Sequence, residues 1–181
     1  MLYLICSDIH GSRVAANLVA TLDFKYNFKK IIILGDVNYS GARNIPPVDY
    51  YPIDVCASLS PLSKKLVIIR GNCDSRVDEM VLGLKFKNKN KIKLGHHMSY
   101  LTHGDLYKSE DFPLKSGDFY MYGHTHVYVL DEVDGHYILN PGSMSLPKVH
   151  TEKTYMIYDS RKEIVNLCNL EGKVIKTLYI K

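Results

Sequence analysis

Three short apolar runs, each followed by a loop with a glycine and an acidic residue, constrain the fold more than any other feature. They are Leu2–Cys6, Ile31–Leu34 and Leu66–Ile69. Runs that are apolar without alternation are typical of strands buried on both faces. Between the first two, apolar residues recur at helical spacing over about residues 13–24, and Ser12 is a candidate N-cap. The pattern predicts a parallel β-α-β unit.

Polar side chains follow the end of each of these predicted strands. Asp8 and His10 follow the first run, Asp36 follows the second, and Asn72 follows the third. In open parallel sheets, ligands bind beyond the carboxyl ends of the strands. We therefore expect these four side chains to lie close together at one edge of the sheet.

The second half of the chain adds three histidines. His103 ends another apolar run, and the stretch Gly-His-Thr-His supplies His124 and His126. Residues two apart on an extended segment point to opposite sides. This stretch can thus offer one imidazole to each of two neighbouring metal ions, because Gly123 permits a tight turn at low steric cost. Seven candidate metal ligands result: Asp8, His10, Asp36, Asn72, His103, His124 and His126.

The remaining elements indicate an α/β fold. Further helices are predicted over about residues 53–60 and 76–84, the latter with Val77, Met80 and Val81 facing inward. The strands predicted in the second half are 92–94, 97–102, 118–122, 127–132, 136–139, 154–158, 164–169 and 173–180. Two mixed β-sheets packed face to face, with helices outside them, accommodate both halves of the chain.

Composition narrows the possible partners. With 46% hydrophobic residues and no linker or repeat, residues 1–181 are expected to form a single domain with a sizeable core. The net charge of +4 suits an anionic substrate and does not by itself indicate a nucleic-acid-binding surface. The one basic cluster, Lys85–Lys93, is interpreted as a solvated hairpin or loop. We expect a small substrate and no stable nucleic-acid complex.

The sequence shows no sign of membrane insertion or export. No apolar run approaches the roughly 18 residues that a membrane span requires. The chain begins directly with a strand-like run and not with a charged segment and an apolar leader. Its four cysteines have neither the spacing of a disulfide framework nor a CxxC motif. These features predict a cytoplasmic protein that does not contact membranes.

The candidate ligands indicate metal-assisted hydrolysis. Carboxylates, an amide and imidazoles without a thiolate cluster suit Mn, Fe, Co, Ni or Zn. Seven ligands with one shared carboxylate imply two metal ions, and Asp36, on the middle of three strand ends, is the natural bridge. Two such ions can acidify a bridging water and bind the oxygens of a phosphoryl group. We expect in-line attack of the bridging hydroxide on phosphorus, without a covalent enzyme intermediate.

The motifs, in this order, resemble those of the calcineurin-like metallophosphoesterase superfamily, and most closely its small bacterial and archaeal phosphodiesterases of the YfcE type. Residues 41–44, 71–75 and 140–145 also match that subgroup. The resemblance covers essentially the whole chain and implies a four-layer αββα sandwich with two divalent metal ions, Mn before Ni, Co, Fe or Zn. It implies Asp8, His10, Asp36 and His126 as ligands of the first ion, and Asp36, Asn72, His103 and His124 as ligands of the second.

Two positions depart from the family pattern. Cys73 stands where most of the superfamily has a histidine that serves as a general acid or stabilises the transition state. A thiol, with a reference pKa of about 8.5, protonates a leaving alkoxide less well than imidazolium. We therefore expect a preference for phosphodiesters with acidic leaving groups and a dispensable Cys73. Asp105 stands where relatives often have a further histidine, so the contact on the substrate side differs.

The expected function is hydrolysis of small phosphodiesters. The candidate catalytic residues are Asp36, Asn72, Cys73 and Asp74. Asp74 is expected to orient its loop and Asn72 by hydrogen bonds and not to bind metal. Arg43 and Asn44 either contact the substrate phosphate or solvate a Pro-rich loop over the site.

Alternative functions stay open at this point. A phosphomonoesterase is disfavoured by Cys73, and a double-strand nuclease by the absence of room for a capping domain in 181 residues. A non-catalytic protein-binding scaffold, like the retromer subunit of the same fold, is disfavoured because all seven candidate ligands are present. Relatives suggest a homodimer or a homotetramer.

Overall fold

The computed structural model describes residues 1–181 and contains eleven β-strands and three α-helices. The strands are β1 Leu2–Cys6, β2 Lys30–Ile33, β3 Leu66–Ile68, β4 Lys89–Leu94, β5 His97–Thr102, β6 Phe119–Met121, β7 Val129–Val133, β8 His136–Asn140, β9 Thr154–Asp159, β10 Ile164–Asn169 and β11 Val174–Tyr179. The helices are α1 Arg13–Tyr26, α2 Pro52–Leu59 and α3 Arg76–Leu82. None of these helices is long and apolar enough to cross a membrane.

The first half of the chain builds the parallel part of a six-stranded sheet, in the order β11-β10-β9-β1-β2-β3. Leu4 pairs with Ile31, and Ile31 pairs with Leu66. Because parallel neighbours need a crossover connection, α1 links β1 to β2, as the apolar pattern predicts. β9, β10 and β11 extend the sheet by antiparallel pairing. The parallel strands β1, β2 and β3 therefore end at the same edge.

The second sheet has five strands in the order β4-β5-β6-β8-β7. β5, β6 and β8 are parallel, and β4 and β7 pair antiparallel at the two edges. The β4–β5 hairpin uses the second half of the basic cluster as an edge strand whose lysines Lys89, Lys91 and Lys93 are exposed. This placement agrees with the interpretation of that cluster as a solvated hairpin, and edge lysines oppose pairing with another sheet.

Strand β1 shows why the first apolar runs do not alternate with polar residues. Leu4 and Cys6 belong to the core between the six-stranded sheet and the three helices. Tyr3 and Ile5 belong to the second core, between the two sheets. Both faces of the strand are thus covered, which favours apolar side chains at every position. The predicted α/β fold with two mixed sheets packed face to face is confirmed.

The outermost layer differs from the prediction on one side. All three α-helices contribute to the core on the six-stranded sheet. Between β5 and β6 lies only a loop with one short 3₁₀ turn, Ser109–Asp111. That segment contains Gly104 and Pro113, which do not favour a regular helix, and Phe112 packs there against Tyr100 and Tyr120. The second sheet is therefore not covered by an α-helix.

The predicted orientation of α3 is wrong. Val77, Met80 and Val81 are each more than half exposed. The helix instead starts with a capping box between Ser75 and Asp78, and Asp78 also accepts a hydrogen bond from the buried side chain of Asn38. These polar contacts at the first turn set the rotation of the helix and leave its apolar residues on the surface.

Ser12 caps α1, as predicted, and this cap is open to a direct test. Its Oγ atom accepts a hydrogen bond from the N–H of Ala15 at 3.1 Å and donates one to Asp49. We expect Ser12→Ala to lower the free energy of unfolding by about 1–2 kcal/mol, measured by urea denaturation. Thr21→Ala, at an exposed position of the same helix, should change it by less than about 0.5 kcal/mol. Equal losses would refute the capping role.

Candidate metal centre

The seven candidate ligands converge beyond the ends of five strands. Asp8 and His10 follow β1, Asp36 follows β2, and Asn72 follows β3. From the second sheet, His103 follows β5, and the loop after β6 carries the last two histidines. The structure thus brings together the strand ends of both sheets in one place.

One group of side chains surrounds the end of β1. Asp8 Oδ1 lies 3.2 Å from Nε2 of His126 and 3.6 Å from Nε2 of His10. The two Nε2 atoms are 3.1 Å apart, and Asp36 Oδ2 is 3.7 Å from that of His10. All four side chains are buried. They are the four residues that the family resemblance assigns to the first metal ion.

A second group shares the same carboxylate. Asp36 Oδ2 lies 3.5 Å from Nε2 of His103. Asn72 Oδ1 lies 3.1 Å from that nitrogen and 2.8 Å from Nδ1 of His124. The Oδ2 atom of Asp36 is therefore between the two groups, at the position expected of a bridging ligand.

Backbone carbonyls select the nitrogen that three of the imidazoles present to the centre. Nδ1 of His10 is 2.9 Å from the carbonyl oxygen of Tyr39, and Nδ1 of His103 is 2.6 Å from that of Leu34. Nδ1 of His126 contacts the carbonyl oxygen of Leu146 in the same way. A carbonyl accepts only from N–H, so in the neutral ring Nε2 carries the lone pair. This is the usual second-sphere arrangement of metal-binding histidines.

The two groups consequently bring acceptors together without donors. The Nε2 lone pairs of His10 and His126 face each other, and Asp8 Oδ1 is buried without a hydrogen bond. Asn72 donates its amide N–H to Cys73 Sγ, which turns its oxygen toward His103. Buried acceptors that face one another are costly unless a cation or protons lie between them. The donor set therefore fits two divalent cations.

Charges in the centre are strongly coupled. Burial by itself would raise the pKa of Asp8, but the neighbouring imidazoles of His10 and His126 outweigh it and hold that pKa well below its usual range. Burial opposes the charge on His103, yet the carboxylates of Asp36 and Asp8 raise its pKa to about 9. The carboxylates of Asp8 and Asp36 thus favour positive charge at the centre, carried either by protons or by bound cations.

The backbone at the centre is held in an uncommon conformation. Ten non-glycine residues have positive φ, and five of them are candidate ligands: Asp8, His10, Asp36, His124 and His126. Non-glycine residues in this region cost free energy and persist where the surrounding structure determines them. Left-handed turns directly after the strands therefore aim these side chains at one point.

The Gly-His-Thr-His stretch has a different backbone conformation from the one predicted. His124 and His126 do contribute to different groups, but the segment is not extended, since both have φ near +60°. Gly123 has no positive φ. Its role is close packing, because a Cβ atom there would collide with Ser7 Oγ and lie 2.9 Å from Asp8 Oδ2.

Further residues hold the strand ends in place. Asp74 is half-buried and accepts hydrogen bonds from the N–H groups of Asp36, Val37 and Gly71, at 2.7–2.8 Å. These bonds agree with the prediction that Asp74 orients its loop, but Asp74 makes no hydrogen bond to Asn72.

The segment 140–145 supports the centre from the other side. Ser143 and Ser145 both donate to the carbonyl oxygen of Asp8, and Asn140 donates to that of Gly123. Their hydroxyl and amide groups therefore tie the loops after β1 and β6 to a common scaffold.

A cavity of about 480 Å³ opens onto the centre. Its lining residues are Asp36, Arg43, Asn44, Asn72, Cys73, His124, Thr125, His126 and Lys148. Asn44 uses its amide N–H to bind the carbonyl oxygen of Ser40, so it stabilises the loop over the site. Arg43 is exposed and faces the cavity without such a bond.

Lys148 is the residue that sequence reasoning missed. Its backbone N–H donates to the carbonyl oxygen of His126 at 3.2 Å, which brings its loop to the cavity. A lysine 22 positions beyond His126 carries no local signal; only its place directly after the segment 140–145 could have suggested it. Asp105 does not line the cavity. Its negative charge acts on His124 and opposes the effects of burial and of His103, which together lower the pKa of that imidazole.

Comparison with known proteins agrees with this centre. The profile of the calcineurin-like phosphoesterase superfamily domain matches residues 1–163. The chain belongs to this superfamily. It is 36% identical over 162 residues to the phosphodiesterase YfcE of Escherichia coli strain K12, covering 88% of each chain. A solved structure of YfcE from E. coli matches with a TM-score of 0.93 and 34% identity, covering 100% of both chains.

More distant structures share the fold alone. Vacuolar protein sorting 29 from Cryptosporidium parvum matches with a TM-score of 0.67 and 20% identity, covering 99% of this chain and 98% of that chain. At this identity the likeness carries no statement about function. The similarity to YfcE is higher in both sequence and structure, and it confirms the predicted family.

Gly71 offers a test of the bridging position of Asp36. A Cβ atom at Gly71 would collide with Asp36 Oδ1, whereas one at Gly83 meets nothing within 4 Å. We expect Gly71→Ala to displace the carboxylate and weaken Mn²⁺ binding at least about ten-fold by calorimetry. Gly83→Ala strains a left-handed residue, with φ of 64°, and should lower stability without affecting Mn²⁺ affinity. Equal Mn²⁺ affinity in both variants would contradict the bridging position.

Proposed function

We propose that the chain is a metal-dependent phosphodiesterase that hydrolyses small phosphodiesters. The observation that carries the proposal is the pair of acceptor groups joined by Asp36 Oδ2, which lies 3.7 Å from His10 Nε2 and 3.5 Å from His103 Nε2. The 36% identity to a phosphodiesterase over 88% of the chain supports the same reaction class.

The residues of the two groups would hold two divalent cations with Asp36 between them. Bound there, such ions supply Lewis acidity for a phosphoryl group and lower the pKa of a water molecule. Asp8, His10 and His126 position one ion, and Asn72, His103 and His124 position the other. We propose Mn²⁺ first, because nitrogen and hard oxygen ligands without thiolates suit it, with Ni, Co, Fe and Zn as alternatives.

Two basic side chains of the protein face the same cavity. Arg43 and Lys148 line it from separate loops, together with the carboxylate of Asp36. A phosphodiester carries one negative charge, which these side chains would attract and orient. Arg43 and Lys148 are therefore proposed as substrate contacts, whereas Asn44 stabilises the loop that carries Arg43.

Cys73 remains a thiol in this setting. Without bound metal, burial and the charge of Asp36 raise the pKa of Cys73 to about 12. A neutral thiol protonates a leaving alkoxide less well than imidazolium does. A leaving group that departs without protonation then reacts best, which supports a preference for diesters with acidic leaving groups. Asp74 acts by holding the backbone of Asp36 and Gly71.

Two further properties are proposed. All four cysteines are free, which agrees with a cytoplasmic location where thiols stay reduced. Ile53, Val77 and Val81 on α2 and α3 are 85%, 59% and 54% exposed and line one surface pocket. This apolar patch supports self-association into a homodimer or homotetramer.

The reaction class is tested by hydrolysis of bis(4-nitrophenyl) phosphate and 4-nitrophenyl phosphate. We expect metal-stripped protein to be inactive and Mn²⁺ to restore turnover, with kcat/KM for the diester at least about ten-fold above that for the monoester. The diester preference follows from Cys73, which protonates a leaving group poorly. Asp36→Asn provides the inactive control, because it removes the shared negative charge.

The outcomes separate the candidate functions. Monoester turnover equal to that of the diester would replace the proposal by a phosphomonoesterase. Binding of two metal ions without turnover of either ester would favour a protein-binding scaffold of the same fold.

Cys73→Ala tests whether the thiol takes part in the reaction. General acids contribute about 10²–10⁴-fold to rate, so a loss well below about 100-fold is expected with the nitrophenyl diester. Asp36→Ala should lose far more, because it removes the bridge. Cys73→His should raise monoester turnover, since imidazolium protonates an alkoxide. A loss in Cys73→Ala as complete as that in Asp36→Ala would contradict a dispensable thiol.

A further inference from the structure

A second cavity lies beside the metal centre on the outer face of the five-stranded sheet. It has a volume of about 450 Å³, within the range of small-ligand pockets. We call it the tyrosine groove. Its lining residues are Gly104, Lys108, Ser109, Glu110, Tyr120, Tyr122, Thr125 and Ile138.

Two aromatic rings characterise this groove. The rings of Tyr120 and Tyr122 are offset-stacked, with centroids 5.3 Å apart and an interplanar angle of 24°. Tyr120 is only 4% exposed, so the ring of Tyr122 is the part of this pair that a ligand can reach. Stacking of a nucleobase on an aromatic side chain is a recurrent recognition mode. The groove is thus chemically suited to a flat aromatic ligand.

The groove is continuous with the candidate metal centre. Thr125 lines both cavities and lies between the candidate ligands His124 and His126. On the other side, Gly104 directly follows His103 and packs against the ring of Tyr122. A molecule whose phosphorus sits at the metal centre can therefore extend one ester group into the groove.

We propose that the tyrosine groove is a subsite for a nucleoside, so that the preferred substrates are nucleotide diesters. This inference rests on the proposed phosphodiesterase function and narrows its substrate class. The base stacks on the aromatic surface, and Lys108, Ser109 and Glu110 provide polar groups around its rim.

A quaternary ammonium headgroup is the competing occupant, since aromatic rings also bind such cations. Recognition of that kind uses rings that enclose the cation, whereas Tyr120 and Tyr122 are nearly parallel. Lys108 and Glu110 place one charge of each sign in the lining of the groove. The geometry favours a planar base over a choline group.

Three chromogenic diesters with the same leaving group test the subsite. They are thymidine 5′-(4-nitrophenyl phosphate), methyl 4-nitrophenyl phosphate and 4-nitrophenyl phosphorylcholine, each measured with the Mn²⁺-loaded protein. Stacking of one base is worth about 1–3 kcal/mol, so kcat/KM for the thymidine ester should exceed that for the methyl ester about ten-fold or more. The difference should be mainly in KM.

Two variants test whether the groove causes the difference in kcat/KM between the thymidine and methyl esters. Tyr122→Leu should reduce the thymidine-to-methyl ratio of kcat/KM about ten-fold, and the ratio cancels any shared loss from the neighbouring histidine. Ser109→Leu narrows the groove from an exposed turn and should reduce the ratio without changing the sheet. Tyr179→Leu is the matched control, because Tyr179 is a 68% exposed tyrosine on β11 of the other sheet; it should keep the full ratio.

Each outcome decides the inference. Turnover of the methyl ester without an advantage for the thymidine ester overturns the nucleoside subsite and leaves the phosphodiesterase intact. A choline ester that reacts faster than the thymidine ester overturns it in favour of a headgroup diester. An unchanged ratio in both groove variants also overturns it. No turnover of any ester would refute the phosphodiesterase function itself.

Discussion

The buried carboxylate of Asp36 is the contact on which the organisation of this molecule depends. Its Oδ2 atom faces imidazoles from both sheets, and its Oδ1 atom accepts the N–H of Cys73 at 2.9 Å. Asp74 fixes the backbone of Asp36 in turn. Because these contacts join the ends of β2, β3 and β5, the position of one side chain aligns both sheets. The packing of the two sheets and the geometry of the centre therefore depend on each other.

This arrangement stores free energy at the centre. Acceptors converge there without donors, and five candidate ligands have left-handed backbone conformations. Both features are unfavourable in isolation, and the two apolar cores that flank the parallel strands provide the stability to maintain them. Metal binding would relieve the electrostatic part, so affinity for cations follows from strain that the fold already maintains.

Local sequence patterns were sufficient for the first half of the fold. β1 is apolar at every position, and β2 at every position after Lys30, because both of their faces are covered. This unusual pattern identifies the two strands without any long-range information. The candidate ligands were found for the same reason, since each directly follows a strand. The orientation of α3 was not predictable in this way. It depends on the contact between Asn38 and Asp78, which joins segments 40 residues apart.

The unpredicted parts of the molecule are those that bear on specificity. Lys148 reaches the cavity only through the fold. The loop between β5 and β6 contains no α-helix, whereas a helix packed on that face would cover Tyr120 and Tyr122. Instead, Phe112 covers part of the aromatic surface and leaves a groove that shares Thr125 with the metal centre. The strand ends therefore determine the chemistry, whereas an irregular covering layer determines which substrate groups can reach it.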